Sequence, residues 1–134
     1  MIVVDTCVLS EAFRKKSRRS NTHIVDCLMQ MIKDDWPLVI PGIVLQEFLT
    51  GFITDTSFQK GLDVLSGFNV NYADNEDHLM AARIRTQCHK KGVQSSSIDV
   101  LIAAMTINLN GRLLTVDNDF LDISKVCHLK LFQF

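Results

Sequence analysis

The chain has 134 residues, 47% of them apolar and 22% charged, a globular balance that fits one domain over residues 1–134 and excludes disordered, collagen-like and coiled-coil chains. Its longest uninterrupted apolar run, Val100–Met105, is far shorter than the ~18–20 residues of a membrane-spanning helix, and no basic stretch precedes an apolar core at the N-terminus, so a cytoplasmic, non-membrane protein is expected. A net charge of −1 gives no global attraction for a polyanion, although five of the 14 basic residues fall between Arg14 and Arg19.

Ile2–Val4 is a β-branched run that ends at Asp5 and reads as a buried first strand. From about Asn21 to Lys33, Ile24, Leu28 and Met31 share one side of a helix. Leu38–Ile40 follows Pro37 and stops at Pro41-Gly42, a second strand. Leu45, Phe48, Leu49 and Phe52 then form a helical stripe, Leu62 and Leu65 belong to a further helix, and Phe68–Val70 is a third strand. Asp74 caps a long helix to about Lys91, with Asp77 as an imperfect capping box and Lys90, Lys91 and Gly92 closing it. Ser96 or Ser97 opens the next helix, striped by Ile98, Leu101, Ile102, Met105 and Leu109 and ended by Gly111. Leu113–Val116 and Leu129–Phe132 are the last expected strands. Short apolar strands alternating with helices predict an α/β fold, a three-layer α/β/α arrangement around a parallel sheet of four to five short strands. In such sheets the chemistry collects at the carboxyl ends of the strands.

Several acids fall on that edge. Asp5 follows the first strand, where it serves equally as a helix N-cap or as a site carboxylate. Glu47 lies off its helical stripe, a solvated position, with Gly51 one turn later leaving that face approachable. Asp99 completes an S-x-x-D capping box with Ser96 and still faces the strand edge. Asp117 and Asp119 follow a strand in an Asx-rich turn; a calcium loop fails because Leu121 takes the third ligand position and no glycine follows. Gathered together, these carboxylates repel unless a cation compensates, and an all-oxygen donor set suits Mg²⁺ or Mn²⁺. The cysteines, Cys7, Cys27, Cys88 and Cys127, form no C-x-x-C and read as reduced thiols. His23 and Cys27 sit at i,i+4, but the adjacent pairs Cys88-His89 and Cys127-His128 diverge and build no tetrahedral zinc site.

Four segments carry a family resemblance: Val3-Val4-Asp5-Thr6-Cys7-Val8-Leu9-Ser10-Glu11, Pro41-Gly42-Ile43-Val44-Leu45-Gln46-Glu47, Ser97-Ile98-Asp99-Val100-Leu101-Ile102-Ala103-Ala104, and Leu113-Leu114-Thr115-Val116-Asp117-Asn118-Asp119-Phe120. In this order and at this length the chain resembles the PIN domain, and more closely the stand-alone VapC-type toxins of toxin–antitoxin pairs. The resemblance implies a PIN-like fold and a Mg²⁺- or Mn²⁺-dependent endoribonuclease that hydrolyses RNA to a 5′-phosphate and a 3′-hydroxyl. It maps the family quartet onto Asp5, Glu47, Asp99 and Asp117. Asp5, Asp99 and Asp117 are then metal ligands, and Glu47 is a ligand through water or a water-orienting group. Thr6, Thr115 and Asp119 are supporting residues. A cognate antitoxin and a homodimer are implied as partners.

Cys7 departs from the usual Asn or Ser, which implies a weakened hydrogen bond near Asp5 and an activity sensitive to thiol oxidation. Arg14, Lys15, Lys16, Arg18 and Arg19 follow the first acidic segment and fit RNA phosphates, or else form a solvated loop. Lys90 and Lys91 are explained by the helix C-terminus. Phosphotransfer domains fit poorly: position 7 breaks the dehalogenase D-x-D, and a receiver's paired early acids and late lysine are missing. A non-catalytic RNA- or antitoxin-binding module is the remaining alternative, separable by divalent-dependent cleavage.

Overall fold

The computed structural model describes residues 1–13 and 20–134. Four short parallel strands, β1 (Ile2–Val4), β2 (Leu38–Pro41), β3 (Asn69–Asn71) and β4 (Arg112–Leu114), form one sheet in the order β3-β2-β1-β4. Val3 pairs with Val39 on one side and Leu113 on the other. Every residue of β1 is buried, as a central parallel strand covered on both faces requires.

The helices are α1 (Thr6–Ala12), α2 (Thr22–Lys33), α3 (Gly42–Thr50), α4 (Asp55–Leu65), α5 (Asn75–Lys90), α6 (Ser97–Asn108) and α7 (Asp119–Ser124). The chain steps outward from β1 to β2 to β3, then crosses back to place β4 on the far side of β1. With right-handed crossovers, this puts α1–α4 on one face and α5 and α6 on the other. The contacts agree: α1 packs on α2 and α3, while α5 packs on α6 and α6 on α7. The reversal beside β1 opens a crevice between the carboxyl ends of β1 and β4, where a doubly wound sheet holds its site.

Capping residues fix the helix starts. Asn21 caps α2, its Oδ1 accepting the Ile24 N–H at 3.2 Å. Asp74 caps α5, and both halves of its capping box with Asp77 form. Ser96, rather than Ser97, caps α6 in a full box with Asp99. Helix α6 buries Val100 and Ile102 through Thr106, and its only polar core group, the Thr106 hydroxyl, donates to the Ile102 carbonyl at 2.8 Å.

Some boundaries differ from the sequence pattern. The strand expected over Leu113–Val116 ends at Leu114, because Thr115 turns its hydroxyl to other partners. Strand β3 begins at Asn69, since the Phe68 N–H bonds back to the Leu65 carbonyl (3.0 Å) in the turn closing α4. The expected fifth strand over Leu129–Phe132 reduces to one parallel bridge, Leu131 opposite Leu113. Helix α7 was not expected, and α1 only through the reading of Asp5 as an N-cap; at six and seven residues, neither is long enough for periodicity to register. No helix among the described residues is long and apolar enough to cross a membrane.

Candidate active site

Strand β1 ends at Val4, which puts Asp5 at the mouth of the β1–β4 crevice. Asp5 is both cap and site residue. Its Oδ1 accepts the Thr6 N–H (2.7 Å) at the start of α1, and its Oδ2 accepts the Thr115 hydroxyl (2.7 Å) and the Cys7 thiol (3.1 Å). The same Thr115 oxygen accepts the Asp117 N–H at 3.0 Å, so one hydroxyl ties the loop after β4 to the loop after β1. Asp117 Oδ1 in turn accepts the Asp119 N–H (2.9 Å). On the other side the Thr6 hydroxyl donates to Glu47 Oε1 at 2.8 Å, joining α1 to α3. Glu47 is therefore half-buried and engaged rather than solvated.

Asp5 is only 5% exposed. Burial pushes its carboxyl above the ordinary range, and the charge of Asp117 adds to that, against the bonds from Thr115, Cys7 and Thr6. The Cys7 thiol is pushed up to about 12, by burial first and by the Asp5 charge second. The bond beside Asp5 that Cys7 put in doubt is present: the S–H donates to the carboxylate, a weaker donor than a hydroxyl in the same place. A thiol held so firmly protonated is also a poor target for oxidants.

Asp99 and Asp119 form an outer pair. The Asp99 N–H donates to Ser96 Oγ (3.0 Å), and its Oδ2 accepts the Ser96 N–H at 3.4 Å, a long bond that holds the carboxylate lightly. Both acids line an open cleft of ≈640 Å³ between the end of α5 and the start of α6. Asp119 is exposed, and its carboxyl is raised chiefly by the charge of Asp117, with Asp99 and Asp122 contributing. Asp119 therefore feels the charge of Asp117.

Hydrogen bonds thus gather Asp5, Thr6, Glu47, Thr115 and Asp117, while Asp99 and Asp119 join through charge and a shared cleft. Between described residues the ion pair present is Lys125–Asp122 (3.1 Å), which touches none of the quartet. No three His, Cys, Asp or Glu side chains among the described residues converge closely enough to hold an ion as they stand. The donor chemistry still fits a hard divalent cation, because the acids offer only oxygen and have no basic partner among the described residues.

The basic run Arg14, Lys15, Lys16, Arg18 and Arg19 lies outside the described residues. Beside it stands a residue that sequence reasoning missed. Glu11 is buried, and its Oε1 accepts the N–H groups of Ser20 and Asn21, the latter at 2.7 Å, fixing the entry to α2. Its signal was weak: an acid three residues after Val8, on the buried side of an apolar helix.

A PIN-domain family model matches residues 2–126. None of the curated proteins matches the sequence closely enough to count. Among solved structures, the chain is similar to FitAcB of Neisseria gonorrhoeae, at 21% identity and a TM-score of 0.80, covering 99% of this chain and 97% of that one. It is similar to VapBC2 of Rickettsia felis bound to a promoter DNA fragment, at 23% identity and a TM-score of 0.80, with 100% and 99% covered. VapC20 of Mycobacterium tuberculosis, a sarcin–ricin-loop-cleaving toxin, aligns at 13% identity and a TM-score of 0.69 over 97% and 99%. The parallel sheet, the crevice beside β1 and the acids along it fall within the matched span, and the chain belongs to the PIN-domain family.

Proposed function

We propose that this chain is a Mg²⁺- or Mn²⁺-dependent endoribonuclease, the toxin of a toxin–antitoxin pair. The observation that carries the reading is Asp5: a buried carboxylate at the crevice, bonded by three donors, linked through Thr115 to Asp117, and without a basic partner among the described residues. Asp5, Asp99 and Asp117 would hold the ion, with Glu47 as a ligand through water or a water-orienting group. When bound, a divalent ion lowers the pKa of water and stabilises the departing 3′ oxygen.

The chain's own residues prepare that reaction. Thr115 and Cys7 fix the Asp5 carboxylate plane. Thr6 engages one oxygen of Glu47 and leaves the other to accept from a water. Supporting residues Thr6 and Thr115 therefore set the orientation of two acids on different elements. Asp119 thickens the negative edge from outside.

A toxin–antitoxin complex from Klebsiella pneumoniae is also similar in structure, at 19% identity and a TM-score of 0.69 over 90% of each chain, which supports an antitoxin partner here. An apolar groove of ≈420 Å³ lined by Phe13, Met29, Ile32, Trp36, Val64 and Phe68 fits the apolar face of a partner helix. In this reading the protein acts in the cytoplasm, and a homodimer is its expected state, testable by light scattering.

The alternative, a module that binds RNA or an antitoxin without cutting, is favoured by the carboxylates' failure to converge. One assay separates the two. The purified protein should cleave single-stranded RNA in Mg²⁺ or Mn²⁺, stop in chelator, and recover on adding the ion back. Cleavage unaffected by chelator, or binding with no cleavage at all, would overturn the ribonuclease reading.

A further inference from the structure

We propose that the cleft between the end of α5 and the start of α6 is a subsite for one nucleotide of the RNA strand beside the scissile bond, with Arg85 holding its phosphate. The inference rests on the ribonuclease reading and deepens it.

One wall of the cleft is the outer acid pair, Asp99 and Asp119, so a strand lying in it passes the site edge. The lining also carries Arg85 and His89. A polyanion approaching bare carboxylates is repelled, and these are the two nitrogen-bearing rings or forks that face it from the described part of the cleft. Arg85 is already held in place: its Nη1 donates to Ser97 Oγ at 2.9 Å. It has no carboxylate partner among the described residues, and a guanidinium has five N–H donors, so most of its fork stays available to a phosphate. Lys90 and Lys91 follow His89 in the chain but do not line the cleft.

The turn after α5 completes the lining. Gly92 adopts φ +68°, and a Cβ there would meet nothing within 4 Å, so the turn faces open space. Gln94 and Ser95 supply both donors and acceptors along it. The ≈640 Å³ volume lies in the range of small-molecule sites, roomy enough for a nucleotide. Among the described residues the lining contains no Phe, Tyr or Trp, which leaves the His89 ring and the Arg85 plane as its stacking surfaces and phosphate contact as the main source of grip. A subsite of this kind positions the strand without specifying sequence. It also gives the described residues a polyanion contact that does not depend on the Arg14–Arg19 run.

The test uses the full chain and a fluorescent single-stranded oligoribonucleotide. Binding is read by anisotropy in chelator, which blocks cleavage, and initial rates are read in Mg²⁺. Arg85→Gln should weaken binding about tenfold, the size of one lost charge-assisted contact. The slope of log K against log salt should fall by about 0.7, one phosphate's worth for a single strand. In Mg²⁺ the loss should appear in KM more than in kcat. Gln94→Glu, at an exposed loop position, adds a negative charge without touching the core and should weaken binding in the same direction. It keeps the test decisive should Arg85→Gln melt low. If the unmutated protein binds and cleaves RNA while both variants bind it with unchanged affinity and salt slope, the subsite falls and the ribonuclease reading stands. If the unmutated protein neither binds nor cleaves RNA, both fall together.

Discussion

The inner and outer acids of this site are the same residue type on the same edge, yet they are held in opposite ways. Asp5 is buried and receives a backbone N–H, a hydroxyl and a thiol. Asp99 is half-buried and its carboxylate receives one long backbone bond. The inner set is fixed before any ligand arrives, at the expense of desolvating a charge. The outer set keeps its solvation and its freedom to turn. The difference predicts that removing a group that holds an inner acid costs more activity than removing one that holds an outer acid.

The largest effect is expected at Asp5. Asp5→Asn keeps the shape and the Oδ1 cap acceptor but loses the charge and the Oδ2 acceptor of the Thr115 and Cys7 bonds, and cleavage should fall by about 10²-fold or more. Stability in chelator should move the other way. A carboxyl whose folded value is raised binds its proton more tightly in the native state, so the unmutated protein loses stability as pH rises from the unfolded value, near 3.8, through the raised one. The Asn variant has no such loss. Thermal melts should show the variant gaining on the unmutated protein as pH rises from 4 to 7, the relief from burying a charge set against the two lost Oδ2 bonds. A divalent ion at a hundredfold excess over Kd should stabilise the unmutated protein by about 2.7 kcal/mol and the variant by much less. Equal gains would put the ion elsewhere.

Thr115→Val sharpens the same contrast from the supporting side. It removes the hydroxyl shared by Asp5 and the Asp117 N–H, leaving two polar groups short of a partner. Activity should drop roughly 10- to 100-fold, as for a residue that orients a ligand, with about 1–3 kcal/mol lost from stability in urea titrations. Full activity in this variant would mean that the inner acids are not held by Thr115.

How much of this the sequence could show depended on the range of the signal. Asp74 was readable as a cap, and Ser96 or Ser97 as another, because a cap is a local pattern of three or four residues. The central strand was readable because burial on both faces demands an unbroken β-branched run. The acid quartet became legible only through the family resemblance, since each acid alone has an ordinary reading as a cap, turn or solvated residue. The Thr115–Asp5 bond spans 110 positions and the Thr6–Glu47 bond 41, and no local pattern carries such pairs. Thr115 looked like the interior of a strand because Leu113–Val116 is β-favouring throughout; the long-range bond overrode that propensity. The cleft around Arg85 was illegible for the same reason, being built from the end of one helix and the start of another.

Ser96→Ala probes the outer set. It removes the Ser96 Oγ acceptor of the Asp99 N–H and should cost about 1 kcal/mol of stability, the usual value of an N-cap. Because Asp99 is lightly held in either protein, activity should fall less than in Thr115→Val. A larger fall than that would show the cap to be a positioning device for Asp99 and would erase the distinction between inner and outer acids.

The smallest effect is expected at Cys7, and its smallness is informative. Its thiol sits between Asp5 Oδ2 (3.1 Å) and Thr115 Oγ1 (3.5 Å), inside the fixed half of the site. A reactive cysteine needs thiolate, and a group pushed up to about 12 offers almost none at neutral pH. Hydrogen peroxide or an alkylating agent at pH 7.5 should therefore leave cleavage unchanged over times that modify an ordinary exposed thiol. Cys7→Ser keeps a donor toward Asp5, and a hydroxyl is a stronger donor than a thiol, so activity should stay within about twofold. Cys7→Ala removes that donor and, with Thr115 still holding the same oxygen, should cost less activity than Thr115→Val. The ordering of Ser, Ala and the Thr115 variant separates a positioning role from a redox one. Rapid inactivation of the unmutated protein, with Cys7→Ser resistant, would instead make this position a thiol switch in a site whose other groups are all oxygen.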